Sequence, residues 1–270
     1  MMGLLLRLGR MTAFITLTLI LMPIQAVLVL LRVNAAARSL PVFYHRWCGR
    51  ILGIELDFRG TRTSHRPTLF VANHISYLDI TIIGGAIEGS FVAKAEVSRW
   101  PLFGWLARLQ RTIFVERADR AGAMRQRDAI RKRLDAGDNL ILFPEGTSND
   151  GTHLLPFKST LFSAADDERV LVQPVSVAYR LLDGMPLGRF YRPFFAWYGD
   201  MLMLPHLWTF LGFGRLTVVI MFHEPVRLAD FASRKALSEH CWQVINNGLS
   251  AALSGRLDAP APAHAIPVLS

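Results

Sequence analysis

Two short apolar runs end abruptly in chemically capable residues, and together they constrain both the fold and the chemistry. Thr68-Leu69-Phe70-Val71-Ala72 runs into Asn73-His74-Ile75-Ser76-Tyr77-Leu78-Asp79, and Asn139-Leu140-Ile141-Leu142-Phe143 runs into Pro144-Glu145-Gly146-Thr147. Apolar runs of this length bounded by turn formers read as buried strands. His74 and Asp79 therefore lie just past the end of a strand. On a continuous helix five residues rotate by roughly 500°, which would point the two side chains about 140° apart. Their cooperation requires a turn, with His74 in a strand-to-helix loop and Asp79 in the first turn of the next helix. A carboxylate there can hold one imidazole nitrogen and leave the other as a base. Read alone, the segment is equally compatible with a helix cap and a surface histidine.

The second segment makes that bland reading less economical. Pro144 fixes its own backbone and Gly146 permits a conformation or a close approach that a side chain would block. Glu145 is thus a charged group at the C-terminal end of a strand, where sites in open α/β sheets lie. An ordinary strand-end turn explains either segment, but two such constellations in one chain point to a site.

The wider pattern is α/β, a sheet flanked by helices. Helices are expected over 11–33 and 36–52, with strands near 53–59 and 68–72, a helix from 77 and a strand at 91–94. An amphipathic helix near 99–109 and a strand at 112–115 follow, then a helix capped by Asp119 and ending near Leu134. After the strand ending at Phe143 come a helix from about Pro156, a strand at 170–179, strands near 193–198 and 216–222, and a helix from Asp230 to Leu253. The division expected is an N-terminal helical membrane anchor over 1–52, a catalytic domain over 53–256 and a disordered, proline-rich tail over 257–270. Cys48 and Cys241 form no paired motif and read as packing residues in a reducing compartment.

The residues resemble the glycerolipid acyltransferases typified by 1-acyl-sn-glycerol-3-phosphate acyltransferase. Four blocks carry the resemblance over roughly residues 60–180. They are Asn73, His74 and Asp79; Phe114-Val115-Glu116-Arg117; Phe143-Pro144-Glu145-Gly146-Thr147; and Val172-Gln173-Pro174-Val175. The resemblance implies a glycerolipid acyltransferase-like fold and an enzyme that moves a fatty acyl group from an acyl carrier protein or coenzyme A thioester to the free hydroxyl of a lysolipid. The acceptor it implies first is 1-acyl-sn-glycerol-3-phosphate, giving phosphatidic acid. One departure bears on that choice: Ser148 stands where lysophosphatidate-acylating members usually have an arginine. A small polar residue there, followed by Asp150-Gly151, is similar to the lyso-ornithine lipid branch. So are Trp197-Tyr198-Gly199-Asp200-Met201 and Pro205-His206-Leu207-Trp208. Lyso-ornithine lipid is therefore the alternative acceptor.

In this reading His74 is the base and Asp79 orients it. Arg117 resembles the family's arginine for the acceptor's anionic headgroup, and Glu145, Gly146 and Thr147 shape the acceptor site, with Glu145 either bonding a hydroxyl or fixing the loop. Oxyanion donors are expected from backbone N–H groups near the Asn73–Ser76 turn or the start of its helix. No Gly-x-Ser-x-Gly element is present, so direct transfer in a ternary complex is favoured over a covalent acyl-enzyme. Ser76 reads as a turn or cap residue, and Lys94, Arg111 and Lys158 as solvated. Neither a cofactor nor a catalytic metal is expected.

Composition points to a membrane surface. The chain is 51% hydrophobic with a net charge of +9, and residues 99–133 hold ten Arg or Lys against three Asp or Glu. Nucleic-acid signatures are missing, so anionic lipid headgroups are the expected partners. Met11 to Leu31 is 21 residues without a charge, long enough to cross a hydrocarbon core and longer than a signal-peptide core. Basic residues flank it on both sides, which gives no clean orientation. A hairpin or shallow insertion in the cytoplasmic membrane, with the site facing the cytoplasm, is the expectation. Rival readings are a lipid esterase using the same His and Asp to activate water, and a non-catalytic lipid-binding protein.

Overall fold

The structure, a computed structural model, describes residues 2–115 and 120–258. Two helices open the chain, α1 (Met2–Leu30) and α2 (Asn34–Leu52), followed by strands β1 (Ile54–Arg59) and β2 (Thr68–Ala72). Next come α3 (Leu78–Ala86), β3 (Ser90–Lys94), α4 (Phe103–Leu109), β4 (Ile113–Val115), α5 (Arg120–Asp135) and β5 (Leu140–Leu142). The C-terminal part adds β6 (Leu171–Leu182), β7 (Met185–Pro186), α6 (Met203–Phe210), β8 (Leu216–Phe222) and α7 (Arg234–Leu253). Strand order is β1-β8-β6-β2-β5-β3-β4, with β7 hairpinned onto β6. β8 runs antiparallel to β6, β7 does likewise, and every other pairing is parallel.

β2 is central, paired on one side to β5 and on the other to β6, and all five of its residues are buried. Alternation along the strand sends Phe70 and Ala72 into the core under α3 and α6, while Leu69 and Val71 pack toward α5 and α7. Such two-sided burial is why the strand reads as a continuous apolar run instead of alternating. Where β2 ends, the Asn73 side chain carries its edge one residue further. Its amide donates to the Val177 carbonyl (2.9 Å) and accepts from the Val177 N–H (2.8 Å), with Asn73 itself buried. The next residue, His74, leaves the sheet at the C-terminal ends of the parallel strands.

α1 has an unusual surface. Its most apolar stretch has a mean hydropathy of 2.4 and is long enough to cross a membrane, yet only 11% of that stretch is buried. Polar contacts hold it against the body. Arg10 donates to the carbonyls of Leu211 (3.2 Å), Phe213 (2.7 Å) and Gly214 (3.2 Å). Thr18 pairs with Tyr44 (2.9 Å), and Gln25 donates to the carbonyls of Ala37 (2.9 Å) and Leu109 (3.0 Å). α2 packs in turn on α3, with His45 set against Gly84.

Some expected elements take another form. Residues 193–198 are not a strand but a 3-10 turn (Arg192–Phe194) and a loop, and α6 follows where no helix was expected. The helix expected from Pro156 is a 3-10 segment, Ser159–Ala165. Arg111 is not merely solvated: it joins Arg38 and Arg133 around the buried Asp138, at 3.1, 2.9 and 2.7 Å. Cys48 and Cys241 are free and buried, as packing residues would be. The Asp119 cap and the tail from 259 onward lie outside the described residues.

Asn73→Ala would leave both backbone groups of Val177 unpaired in the core. Each buried orphan costs about 1–3 kcal/mol, so denaturant unfolding of the solubilised protein should show a loss of about 2–4 kcal/mol.

Candidate active site

His74 and Asp79 meet as the spacing required. β2 delivers His74 into the loop, and Asp79 sits in the first turn of α3. Nδ1 of His74 lies 2.8 Å from Oδ2 of Asp79. With a carboxylate opposite, the proton belongs on Nδ1, which leaves Nε2 as the acceptor. Nε2 has no partner among the described residues, and the His74 side chain is 20% exposed. Phe143, at the end of β5, stacks on the imidazole with ring centroids 4.2 Å apart. The ring is thus fixed by a carboxylate at one edge and an aromatic face.

Asp79 is itself fully buried. Oδ2 accepts the N–H groups of Ile75 (2.6 Å) and Ser76 (3.0 Å) besides Nδ1, and Oδ1 accepts the Tyr179 hydroxyl (2.7 Å). Burial pushes the Tyr179 phenol well above its ordinary range, with Asp79 adding to the effect, so it acts here as a neutral donor. Sequence reasoning missed Tyr179. Its only signal was a phenol following the apolar Val177-Ala178 in β6, a hundred positions from its partner.

Glu145 is brought to the same loop from behind. Oε1 accepts the His74 N–H (2.8 Å), and Oε2 accepts the Asn149 side-chain amide (2.8 Å) and the Leu155 N–H (2.8 Å). Of the two roles considered for Glu145, this geometry matches loop fixing. Burial raises the Glu145 carboxyl above the usual range, while the N–H groups of Leu155 and His74 work against that. Gly146 turns the chain at φ 76°, and Thr147 projects to the surface. Asn149 closes the assembly by donating its N–H to the His74 carbonyl (3.2 Å). Gly151, at φ 72°, packs so closely that an added Cβ would lie 2.9 Å from Ile75.

One expectation changes. The N–H groups of His74, Ile75 and Ser76 all point at carboxylates, so these three are not the oxyanion donors. Arg117 lies outside the described residues.

The loop containing Trp197 covers the site. Trp197 donates its backbone N–H to the Ile75 carbonyl (3.0 Å), and Ser148 donates its hydroxyl to the Trp197 carbonyl. Tyr77 stacks edge-on against Trp197 and bonds Nδ1 of His206 (2.9 Å), whose Nε2 lies 3.1 Å from the Ala196 carbonyl. Beside Tyr77 an apolar cavity of about 190 Å³ runs between α1, α2, α3, α4 and α6, bordered by Met22, Leu40, Ile80, Phe91, Leu106 and Met203.

A strand-end imidazole held by a buried carboxylate, next to an apolar cavity, can act as a base on a hydroxyl or water beside a lipid chain. Residues 55–178 match the Acyltransferase family model. The chain belongs to the glycerolipid acyltransferase family. It is 41% identical over 251 residues to lyso-ornithine lipid O-acyltransferase of Brucella abortus, covering 90% of this chain and 94% of that protein. The corresponding protein of Rhizobium meliloti is 39% identical, covering 94% of this chain and 89% of its own length. 1-Acyl-sn-glycerol-3-phosphate acyltransferase of Neisseria gonorrhoeae is 32% identical over 70% of this chain and 71% of that protein. The fold matches the crystal structure of the 1-acyl-sn-glycerophosphate acyltransferase PlsC from Thermotoga maritima, with a TM-score of 0.64, 24% identity, and 96% and 98% of the two chains covered.

Tyr179→Phe tests the support of Asp79. Losing one hydrogen bond to a buried carboxylate costs about 1.5–3 kcal/mol, so unfolding free energy should fall by that amount and acyl-transfer rate by about tenfold or more.

Proposed function

We propose that the protein is a lyso-ornithine lipid O-acyltransferase, transferring a fatty acyl group from an acyl carrier protein or coenzyme A thioester to the lysolipid's free hydroxyl. The observation that carries the chemistry is the open Nε2 of His74, with Nδ1 held by Asp79. The acceptor reading departs from the lysophosphatidate that the family resemblance implied first. It is supported by the 41% identity spanning 94% of the Brucella abortus enzyme, set against 32% over 71% of the Neisseria gonorrhoeae enzyme, and by Ser148 directly after the third block.

Nε2 of His74 takes the hydroxyl proton as the oxygen attacks the thioester carbonyl. The imidazolium that forms is stabilised by Asp79. Collapse of the tetrahedral intermediate breaks the C–S bond, and the sulfur leaves with the proton returned by His74, giving an ester and a thiol. With the amides of 74–76 engaged, the N–H groups of Thr147 and Ser148, which have no protein acceptor among the described residues, are candidates for the oxyanion. Glu145 serves by holding the His74 loop, Gly146 by turning the block and Thr147 by facing the acceptor. A headgroup role for Arg117 rests on the family resemblance alone. The apolar cavity beside Tyr77 suits an acyl chain.

Membrane attachment through α1 follows from its exposed apolar surface, with the net positive charge drawn to anionic headgroups. The site then works at the cytoplasmic membrane, facing the cytoplasm where the thioester donors are made.

A radiolabelled transfer assay in membranes, offering lyso-ornithine lipid and lysophosphatidate with both donors, tests the proposal. Ornithine-lipid formation should dominate, and His74→Ala should lower it by about 10²–10⁴-fold. Dominant formation of phosphatidate would overturn the acceptor assignment. Ester hydrolysis without acceptor dependence would indicate an esterase.

A further inference from the structure

One charged side chain beside the site has no hydrogen-bond or contact ion-pair partner among the described residues. Arg192 opens the 3-10 turn Arg192–Phe194. Its guanidinium is partly buried and makes no hydrogen bond or contact ion pair with any described residue. A guanidinium carries five N–H donors, and withdrawing them from water without acceptors is unfavourable. Burial accordingly pulls Arg192 below the usual arginine range, and the charge that opposes this is Asp150.

Asp150 answers from the other side. Oδ1 is occupied by the Thr152 N–H (2.9 Å) and hydroxyl (2.7 Å), with Nδ1 of His153 at 3.4 Å. Oδ2 has no partner among the described residues. Arg192 and Asp150 lie near enough for each to feel the other's charge, yet they form no contact ion pair.

Both residues are rooted at the catalytic loop. The Asn149 N–H donates to the His74 carbonyl, and Asp150 follows one Cα step of about 3.8 Å later. The Ala196 N–H donates to the Arg192 carbonyl (2.8 Å), and the next amide, Trp197, donates to the Ile75 carbonyl. The two charged residues are therefore carried by segments whose backbones are both bonded to the His74–Ile75 loop.

The signs of the charges restrict what fits. A phosphate monoester would meet Asp150 as a like charge, an element that selects against it. The position where an arginine was expected is Ser148, whose hydroxyl is taken up by the Trp197 carbonyl. An N-acylated ornithine, by contrast, keeps a free carboxylate and a side-chain ammonium on one short headgroup. We infer that Arg192 and Asp150 form a mixed-charge clamp on the acceptor headgroup, Arg192 binding the carboxylate and Oδ2 of Asp150 the ammonium. The inference rests on the lyso-ornithine reading above. It extends that reading by naming the groups that recognise an amino-acid lipid, two residues outside the expected set.

The test pairs variants with altered acceptors. The purified full-length enzyme in mixed micelles is given lyso-ornithine lipid, its carboxyl methyl ester, and its N-acetylated form. Wild type should prefer the unmodified acceptor over each derivative by about tenfold or more in kcat/KM, as expected for a charge-assisted hydrogen bond. Arg192→Ala should lose discrimination against the ester while keeping it against the N-acetylated form. Asp150→Asn, which retains an oxygen for Thr152, should do the reverse. Each ratio is internal to one protein sample, so partial misfolding cancels, and Arg192→Lys should recover part of the ester discrimination. Wild-type discrimination persisting in both variants would overturn the clamp while leaving the acceptor assignment intact. Failure of wild type to use lyso-ornithine lipid at all would overturn the functional reading, and the clamp with it.

Discussion

Everything at the site depends on one buried carboxylate. Asp79 is withdrawn from water entirely, and an isolated carboxylate in that position would cost several kcal/mol or would give up its charge. It is kept in place by donors from two parts of the chain: the imidazole of His74 with the amides of Ile75 and Ser76, and the phenol of Tyr179. One interaction therefore closes the strand-to-helix turn, ties it to β6 and fixes which face of the imidazole is free. The fold contributes by ending β2 between two parallel neighbours, so that the loop emerges at the C-terminal edge with walls already in place.

Glu145 repeats the device one loop away. Its oxygens gather His74, Asn149 and Leu155, so the two strand-end blocks are laced together through backbone and not through substrate. Asn73 and Trp197 complete the bracing, one on β6 and one on Ile75. A base acting on a bound substrate must be held to a fraction of an ångström, and the His74 loop is held by buried carboxylates surrounded by N–H donors. The proposed acceptor side is built differently: among the described residues, Arg192 and Oδ2 of Asp150 have no hydrogen-bond or contact ion-pair partner.

How much of this was legible depended on how local the determinants are. The central strands and the turn joining His74 to Asp79 were readable, because the apolar runs are continuous and a helix could not bring those two side chains together. Phe194-Phe195-Ala196-Trp197-Tyr198 read as a strand because aromatic runs favour extended structure. Pro193 and Gly199 flank it, though, and the rings of Phe195 and Trp197 find partners in Phe210 and Tyr77, so a turn and loop prevail. α6 was not among the expected helices, and Pro205 sits in its first turn, where a missing N–H costs little. Tyr179, Arg192 and the occupancy of the 74–76 amides are tertiary facts. No spacing in the sequence encodes them.

The central claim is that Asp79 holds His74 with its proton on Nδ1 and Nε2 bare. Nitrogen-15 NMR of histidine-labelled protein, with His74 assigned by loss of its signals in His74→Gln, reads the tautomer of the neutral ring directly. The account predicts a protonated Nδ1 and an unprotonated Nε2, with that preference lost in Asp79→Asn. A neutral His74 carrying its proton on Nε2 in the wild-type protein would contradict it.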